Sequence, residues 1–442
     1  MRDPSFYQPR MQSSPLAGRR WAIFALTSAL FLLSMFYRAS VAVITPQLIA
    51  DLSLDTAGLS LMSAAFFYAF ALTQIPLGIF LDHVGPRKTM TALSLVGVAG
   101  TLIFAWADSL GMLVAGRILL GIGMACNLMG TYTLLTRWFS PLHFATLSSL
   151  VVSVGTAGSI SATSPLVLLV ELVGWRWTFS LFAFLNMILA LIFFLVVRDR
   201  PDEALSSRRP PSVVREVLGK MGNAASGLRH LFRDKDYWII SLGCFSRYGI
   251  LAAFQALWAG PYLMEALGYS ALAAGNIILV LNIGLIAGGP FFGILSDRLL
   301  KSRKWVSVIG LAGPAVIMVL FFNTASDAGM VPLMMLFFFF GFLGSAGNMM
   351  YAHIKERMPL EMAGTAMTGI NFFNMLGPAF FMQVLGGIMQ YMYPDSSLGV
   401  EAFRAGFVLC FICLAGVSCL YLFTRDAEEA QRNPASGDET VP

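Results

Sequence analysis

Gly78-Ile79-Phe80-Leu81-Asp82 and Gly293-Ile294-Leu295-Ser296-Asp297 are two copies of one pattern, G-x-x-x-D, each closing a long apolar run and each followed by clustered basic residues. Further echoes lie outward from them in the same order. Arg38 in Phe36-Tyr37-Arg38 returns as Arg247 in Phe245-Ser246-Arg247, and Asn127-Leu128-Met129 returns as Asn348-Met349-Met350, at offsets of 209 and 221 residues that bracket the 215 of the G-x-x-x-D pair. The chain reads as a duplication. Two similar halves with rare polar side chains at matched depths are how a bilayer protein builds a site near its middle with an exit to each side.

Composition places both halves in lipid. At 57% hydrophobic and 12% charged, with a mean hydropathy of +0.73 over 442 residues, the chain has more apolar surface than a soluble core hides. A helix needs about 20 apolar residues to cross the hydrocarbon, and twelve such spans fit: 21–43, 57–80, 89–106, 111–136, 145–170 and 177–197, then 237–262, 272–295, 305–324, 329–351, 362–389 and 402–423. Barrel strands would be shorter and would alternate. The expected fold is therefore an all-α membrane protein, with twelve transmembrane helices in two pseudo-symmetric six-helix bundles at 21–197 and 237–423. A tail at 1–20, a linker at 198–236 and a second tail at 424–442 complete the chain.

With both termini in the cytoplasm, 24 of the 29 Lys and Arg residues fall on the inner side, and only Arg38, Arg117, Arg176, Arg247 and Arg404 lie within spans or at their outer ends. The positive-inside rule thus supports this orientation, and a multi-pass protein of the bacterial inner (plasma) membrane is expected. The net charge of +5 is a topology signal and calls for no nucleic acid. The first apolar run is full length and follows Arg19-Arg20 without a small-residue cleavage pattern, so span 1 is expected to stay in the mature protein.

The linker carries Pro210-Pro211 and a stretch that reads as a short surface helix ending near Phe232. All five cysteines lie in expected spans, so neither a disulfide framework nor a metal motif is indicated, and no cofactor is expected. Pro76, Pro165, Gly260-Pro261, Gly288-Gly289-Pro290 and Gly377-Pro378 fall in or beside spans, where they kink helices and let neighbours approach closely.

Gly78 to Lys88, read as Gly-Ile-Phe-Leu-Asp-His-Val-Gly-Pro-Arg-Lys, resembles the signature between the second and third helices of the major facilitator superfamily. Arg117-Ile118-Leu119-Leu120-Gly121-Ile122-Gly123 is similar to that family's fourth-helix R-x-x-x-G-x-G, and Gly174-Trp175-Arg176-Trp177-Thr178-Phe179 to its segment before helix six. Within the family, Phe36-Tyr37-Arg38, Pro46-Gln47-Leu48 and Gln74-Ile75-Pro76-Leu77-Gly78 resemble organic-anion carriers of the hexuronate type and the bacterial and lysosomal dipeptide carriers. Tyr37 stands where the anion-carrier pattern has an acidic residue. The resemblance implies alternating access, a cavity lined by helices 1, 4, 7 and 10, and a gating role for Gly78, Asp82, Gly85, Arg87, Lys88 and Arg117. Asp297, with Arg298, Lys301, Arg303 and Lys304, is the second copy, expected to latch more weakly.

The candidate binding residues follow from cost. A lone guanidinium in an apolar helix costs roughly 2.5 to 3.5 kcal/mol on insertion scales, and Arg38 and Arg247 both sit inside spans. A carboxylate or phosphate held by planar guanidinium forks offsets that cost; pairing with helix carbonyls is the alternative. Tyr37, Asn127, Asn348 and Trp258 are the further candidates. Helical spacing puts Gly243, Arg247, Phe254 and Trp258 near one face of span 7, and Gly341, Gly344 and Asn348 near one face of span 10. Asn127 and Asn348 are equally placed to serve as interhelical hydrogen-bond glue.

The expected activity is transport of a small carboxylate-bearing solute, an organic anion, amino acid or dipeptide, by a monomer in the bilayer. No mid-membrane carboxylate or histidine is apparent, which favours a uniporter, an anion exchanger or a symporter whose proton travels on the substrate. The rivals are a ligand sensor on a transporter fold and a drug or metabolite exporter. An enzyme is not expected, since no Walker loop, His-Glu-x-x-His or G-x-S-x-G constellation occurs.

Overall fold

In hydrocarbon every backbone N–H and C=O must be satisfied within its own segment, so long apolar runs fold as helices. The computed structural model describes residues 14–200, 233–324, 329–358 and 360–426. The first half runs α1 (Ser14–Ala39), α2 (Val41–Leu52), α3 (Thr56–His83), α4 (Pro86–Ala105), α5 (Leu110–Met124), α6 (Asn127–Trp138), α7 (Pro141–Ser161), α8 (Ser164–Val173) and α9 (Trp175–Val196). The second runs α10 (Lys235–Ala253), α11 (Ala271–Ile294), α12 (Arg303–Phe322), α13 (Met330–Ser345), α14 (Met349–Arg357), α15 (Leu360–Met392) and α16 (Val400–Tyr421). Among the described residues, counted through short breaks, eleven helices are long and apolar enough to cross a bilayer, and α7 with α8, bent by 45°, make a twelfth when the pair is counted as one span. The expected surface helix in the linker and most of both tails lie outside the described residues.

Contacts at the helix ends sort them into two levels. Trp21 packs edge-on against Phe139 at 5.6 Å, Trp138 Nε1 donates to the Arg198 carbonyl at 2.9 Å, and the Arg425 amide donates to Asp236 Oδ2 at 3.3 Å. The starts of spans 1 and 7 and the ends of spans 4, 6 and 12 therefore share one end, the terminal end. The opposite, far end holds the start of α3, where Asp55 caps the helix by accepting from the Gly58 amide at 2.7 Å.

The halves meet along α3 against α15 and α8 against α11. At the far end the contact is tight. Thr56 Oγ1 and Ser397 Oγ are 2.6 Å apart, Ser164 Oγ donates to Asn276 Oδ1 at 2.6 Å, and Gly260 lies so close to α2 that a Cβ there would sit 1.6 Å from the Ala42 carbonyl oxygen. Midway down, Tyr68 donates to Gln383 Oε1 at 2.8 Å. The terminal-end networks instead stay within a half. Arg87 ties to Asp199 and Phe194, and Arg357 to Asp236 and the Arg425 carbonyl.

The four spans expected to line the cavity are all interrupted near mid-length. Span 1 breaks at Ser40, span 4 at Ala125–Cys126, span 7 passes through a π-helical turn at Phe254–Trp258, and span 10 through a 3-10 turn at Ala346–Asn348. At such interruptions the backbone groups must still find partners within the protein.

Candidate functional site

Arg38, near the end of α1, is half-buried at the seam and reaches across it. Its Nη1 donates to the Tyr248 hydroxyl of α10 at 2.9 Å, while its guanidinium lies 4.9 Å from the Phe70 ring and 6.0 Å from Phe67, both on α3. Two aromatic faces on one side and a phenol oxygen on the other hold a cation in an otherwise apolar setting. The expected counter-charge is missing from this arrangement: every group named around Arg38 is neutral.

Arg247, next to Tyr248, is only 3% exposed. Its Nη1 donates to the Gly344 carbonyl at 2.8 Å, just before the turn of span 10, and Cζ lies 5.8 Å from the Tyr248 ring. A Cβ on Gly347 would collide with the Arg247 side chain, so the arginine fits only because that turn is glycine. Asn348 follows, exposed, and one turn on lies Tyr351, which donates to Asn371 Oδ1 of α15 at 2.9 Å within electrostatic range of Arg38, Arg247 and Tyr248. Arg38, Tyr248, Arg247, Asn348, Tyr351 and Asn371 thus form one polar band in an apolar bundle.

Four of the residues singled out from sequence sit elsewhere. Tyr37 is fully buried inside the first half, its ring edge-on to Phe36 and its hydroxyl on the Thr101 side of α4; one residue along a helix turns a side chain by about 100°. Asn127 is 1% exposed and donates through Nδ2 to the Leu30 carbonyl at 3.1 Å, joining α6 to α1. Trp258 packs edge-on to Phe403 of α16 beside Gly386 of α15, in the apolar interior of the second half. Arg117, assigned to gating by resemblance, is 1% exposed, stacks 4.7 Å from Phe66 and donates through Nη1 to the Tyr37 carbonyl at 3.0 Å. It does in the first half what Arg247 does in the second: a buried guanidinium satisfies a carbonyl beside the break of a facing helix.

At the terminal end, Gly85 has φ +91°, and a Cβ there would lie 2.3 Å from Asp199 Oδ2. Asp199 Oδ1 accepts from the Arg87 amide at 2.7 Å, and Arg87 Nε donates to the Phe194 carbonyl at 2.8 Å. The signature loop is thereby fastened to the end of α9. Gly78 and Lys88 are exposed; the Asp82 side chain lies outside the described residues. In the second copy Arg303 bridges Asp297 and Glu356, the latter at 3.0 Å, and Ser302 bonds Asp426, so the copy expected to latch more weakly is a three-residue ion-pair network.

Tyr248, Tyr351 and Asn371 were not singled out from sequence. Tyr351 lies three residues after Asn348, on the same helical face, and Tyr248 adjoins Arg247. Asn371 opens Asn371-Phe372-Phe373-Asn374, a pair of amides in a span that the search for charges passes over. No group of three or more His, Cys, Asp or Glu able to hold a metal occurs among the described residues.

A model of the family described as Major Facilitator Superfamily matches residues 26–382. The chain is 26% identical over 415 residues to the probable sulfoacetate transporter SauU of Cupriavidus necator, covering 88% of this chain and 94% of that one. It is 25% identical over 398 residues to a D-galactonate transporter of Escherichia coli, covering 86% and 91%. In structure it is similar to a bacterial homolog of the human lysosomal transporter Spinster in an inward-facing, unoccupied conformation, with a TM-score of 0.72 at 17% identity, covering 94% of this chain and 99% of that one.

Proposed function

The chain belongs to the Major Facilitator Superfamily, and from that premise we propose that it carries a small organic anion across the bacterial inner membrane by alternating access, with Arg38 as the group that receives the anion. One observation carries the reading. Arg38 is a guanidinium at mid-depth on the seam between the halves, held by two aromatic rings and a phenol, with no carboxylate among the groups named around it. A solute carboxylate supplies what the protein leaves out, and a bond charged on both sides is roughly twice as strong as a neutral one. Relatives whose names specify sulfoacetate and D-galactonate carriage support an organic acid as the solute.

Arg247 takes a different part from the one its sequence position suggested. Its Nη1 is held by Gly344, so it adds positive potential to the site and shapes it, while Arg38 makes the contact. Tyr351, Asn371 and Asn348 offer neutral donors and acceptors suited to the hydroxyl or sulfonate remainder of such an acid. With both termini in the cytoplasm, as the basic residues indicate, the far-end seal lies on the outer side.

Counterflow tests the reading. Proteoliposomes preloaded with unlabelled sulfoacetate or D-galactonate should accumulate the labelled acid, and Arg38→Gln should abolish this while leaving yield and melting temperature near those of the unaltered protein. Binding without flux would favour a sensor. Chemically altered solute would favour an enzyme.

A further inference from the structure

We propose that the Tyr248 hydroxyl is an internal stand-in for the substrate: in the empty carrier it occupies the place on Arg38 that a carboxylate takes over, so that loading exchanges a direct bond between the halves for one made through the solute. This rests on the reading of Arg38 as the anion receptor. A guanidinium at this depth needs an acceptor at all times, because an unsatisfied charged donor away from water is costly. Phe67 and Phe70 offer it ring faces and no lone pair in the plane of its N–H groups. The phenol oxygen at 2.9 Å is the acceptor it finds, and that oxygen belongs to the other half.

The phenol suits such a role in three ways. It is neutral, so a carboxylate outbids it on Arg38 by the difference between a singly and a doubly charged hydrogen bond. Its residue is half-buried, open enough to swing aside. Its ring lies against Arg247, itself fixed on Gly344, so the hydroxyl is presented from a braced position. The Arg38–Tyr248 bond then belongs to the empty carrier alone, and its loss is coupled to loading.

Removing the hydroxyl should therefore strengthen binding. In the purified full-length protein, Tyr248→Phe should bind sulfoacetate or D-galactonate about two- to tenfold more tightly, the fold-change to which the net worth of one typical competing hydrogen bond converts. Exchange at saturating solute, which bypasses reorientation of the empty carrier, should keep its rate, while net efflux, which includes that step, should rise. Tyr248→Leu, which also lacks the acceptor, should behave alike and serves if the Phe variant does not fold. Equal or weaker binding in a folded variant whose Arg38→Gln counterpart has lost binding would overturn the stand-in and leave the receptor intact. If Arg38→Gln still binds, or the unaltered protein binds neither acid, the receptor reading fails and this proposal with it.

Discussion

Arg247 donates to the carbonyl of Gly344 at 2.8 Å, two residues ahead of the 3-10 turn at Ala346–Asn348. In the other half Arg117 donates to the carbonyl of Tyr37 at 3.0 Å, three residues ahead of the break at Ser40. The duplication has exchanged the partners. In the first half the arginine comes from span 4 and the broken helix is span 1; in the second it comes from span 7 and the broken helix is span 10. A broken helix in hydrocarbon is stable only where something else satisfies its freed carbonyls, and each arginine does so at the point where its half can bend.

Arg247 should accordingly act on motion and stability more than on recognition. Arg247→Lys keeps the charge but offers a compact ammonium on a flexible stem where the planar fork reached Gly344. The expected result is near-normal affinity for the anion with slower exchange. Arg247→Met removes the charged donor from a carbonyl that the Ala346 amide also reaches, a loss of about 1.5–3 kcal/mol, seen as a lower melting temperature in detergent. An Arg247→Lys variant whose affinity collapses while its exchange rate at saturation holds would return Arg247 to the role of direct ligand.

Gly85 gives a test of the signature loop. Its φ of +91° with ψ of 153° is a conformation that side chains other than glycine's enter only with strain, at a cost on the order of 1–3 kcal/mol. The space for a Cβ is also filled by the Asp199 carboxylate. Gly85→Ala should lower the melting temperature by several degrees and loosen the end of α9 from the start of α4, measurable as faster hydrogen exchange at Arg87 and its neighbours. Adding Asp199→Ala should relieve the clash but not the backbone strain, so it should restore only part of the loss.

Trp258 separates packing from recognition. It is 1% exposed and surrounded by Phe403, Phe407, Leu385 and Met389, well inside the second half. Trp258→Phe should cost stability through lost volume, within the several kcal/mol typical of a large buried aromatic cut down. Anion affinity should stay within about twofold, within ordinary context variation for residues that do not touch. A tenfold affinity loss at unchanged melting temperature would put the indole in the site after all.

The architecture was legible because hydropathy is additive along a span: twenty apolar residues read the same wherever the neighbours lie. The duplicated G-x-x-x-D pattern and the echo of Arg38 in Arg247 were legible too, since duplication leaves its mark in order and spacing. The direction of each side chain was not. Tyr37 and Arg38 are adjacent, yet one faces the interior of the first half and the other the seam, and which does which depends on helix rotation that packing against α6, α7 and α9 sets. Asn127 and Asn348 match in sequence, but the first is spent on the Leu30 carbonyl and the second is exposed, because the break of span 4 falls before its asparagine and the turn of span 10 includes it. Tyr248 and Tyr351 escaped notice for a related reason: a phenol in a span reads as apolar until its hydroxyl is seen to have a partner.

The far-end seal provides the test of alternating access itself. Thr56 begins α3 in the first half, Ser397 precedes α16 in the second, and their hydroxyl oxygens are 2.6 Å apart, within reach of a disulfide about 2.0 Å long once both are cysteine. Of the native cysteines Cys126, Cys244 and Cys410 are buried and Cys419 is exposed, so Thr56→Cys with Ser397→Cys is best made together with Cys419→Ser. Oxidation should staple the halves in the state that is closed at the far end. Binding from the terminal end should survive, since Arg38 lies deeper along the seam, whereas counterflow should stop and return on reduction, and each single-cysteine variant should transport under oxidant. Full transport through a molecule shown to be quantitatively cross-linked would mean that solute passes without the halves parting at Thr56 and Ser397, and the rocking of two rigid bundles about Arg38 would have to be abandoned.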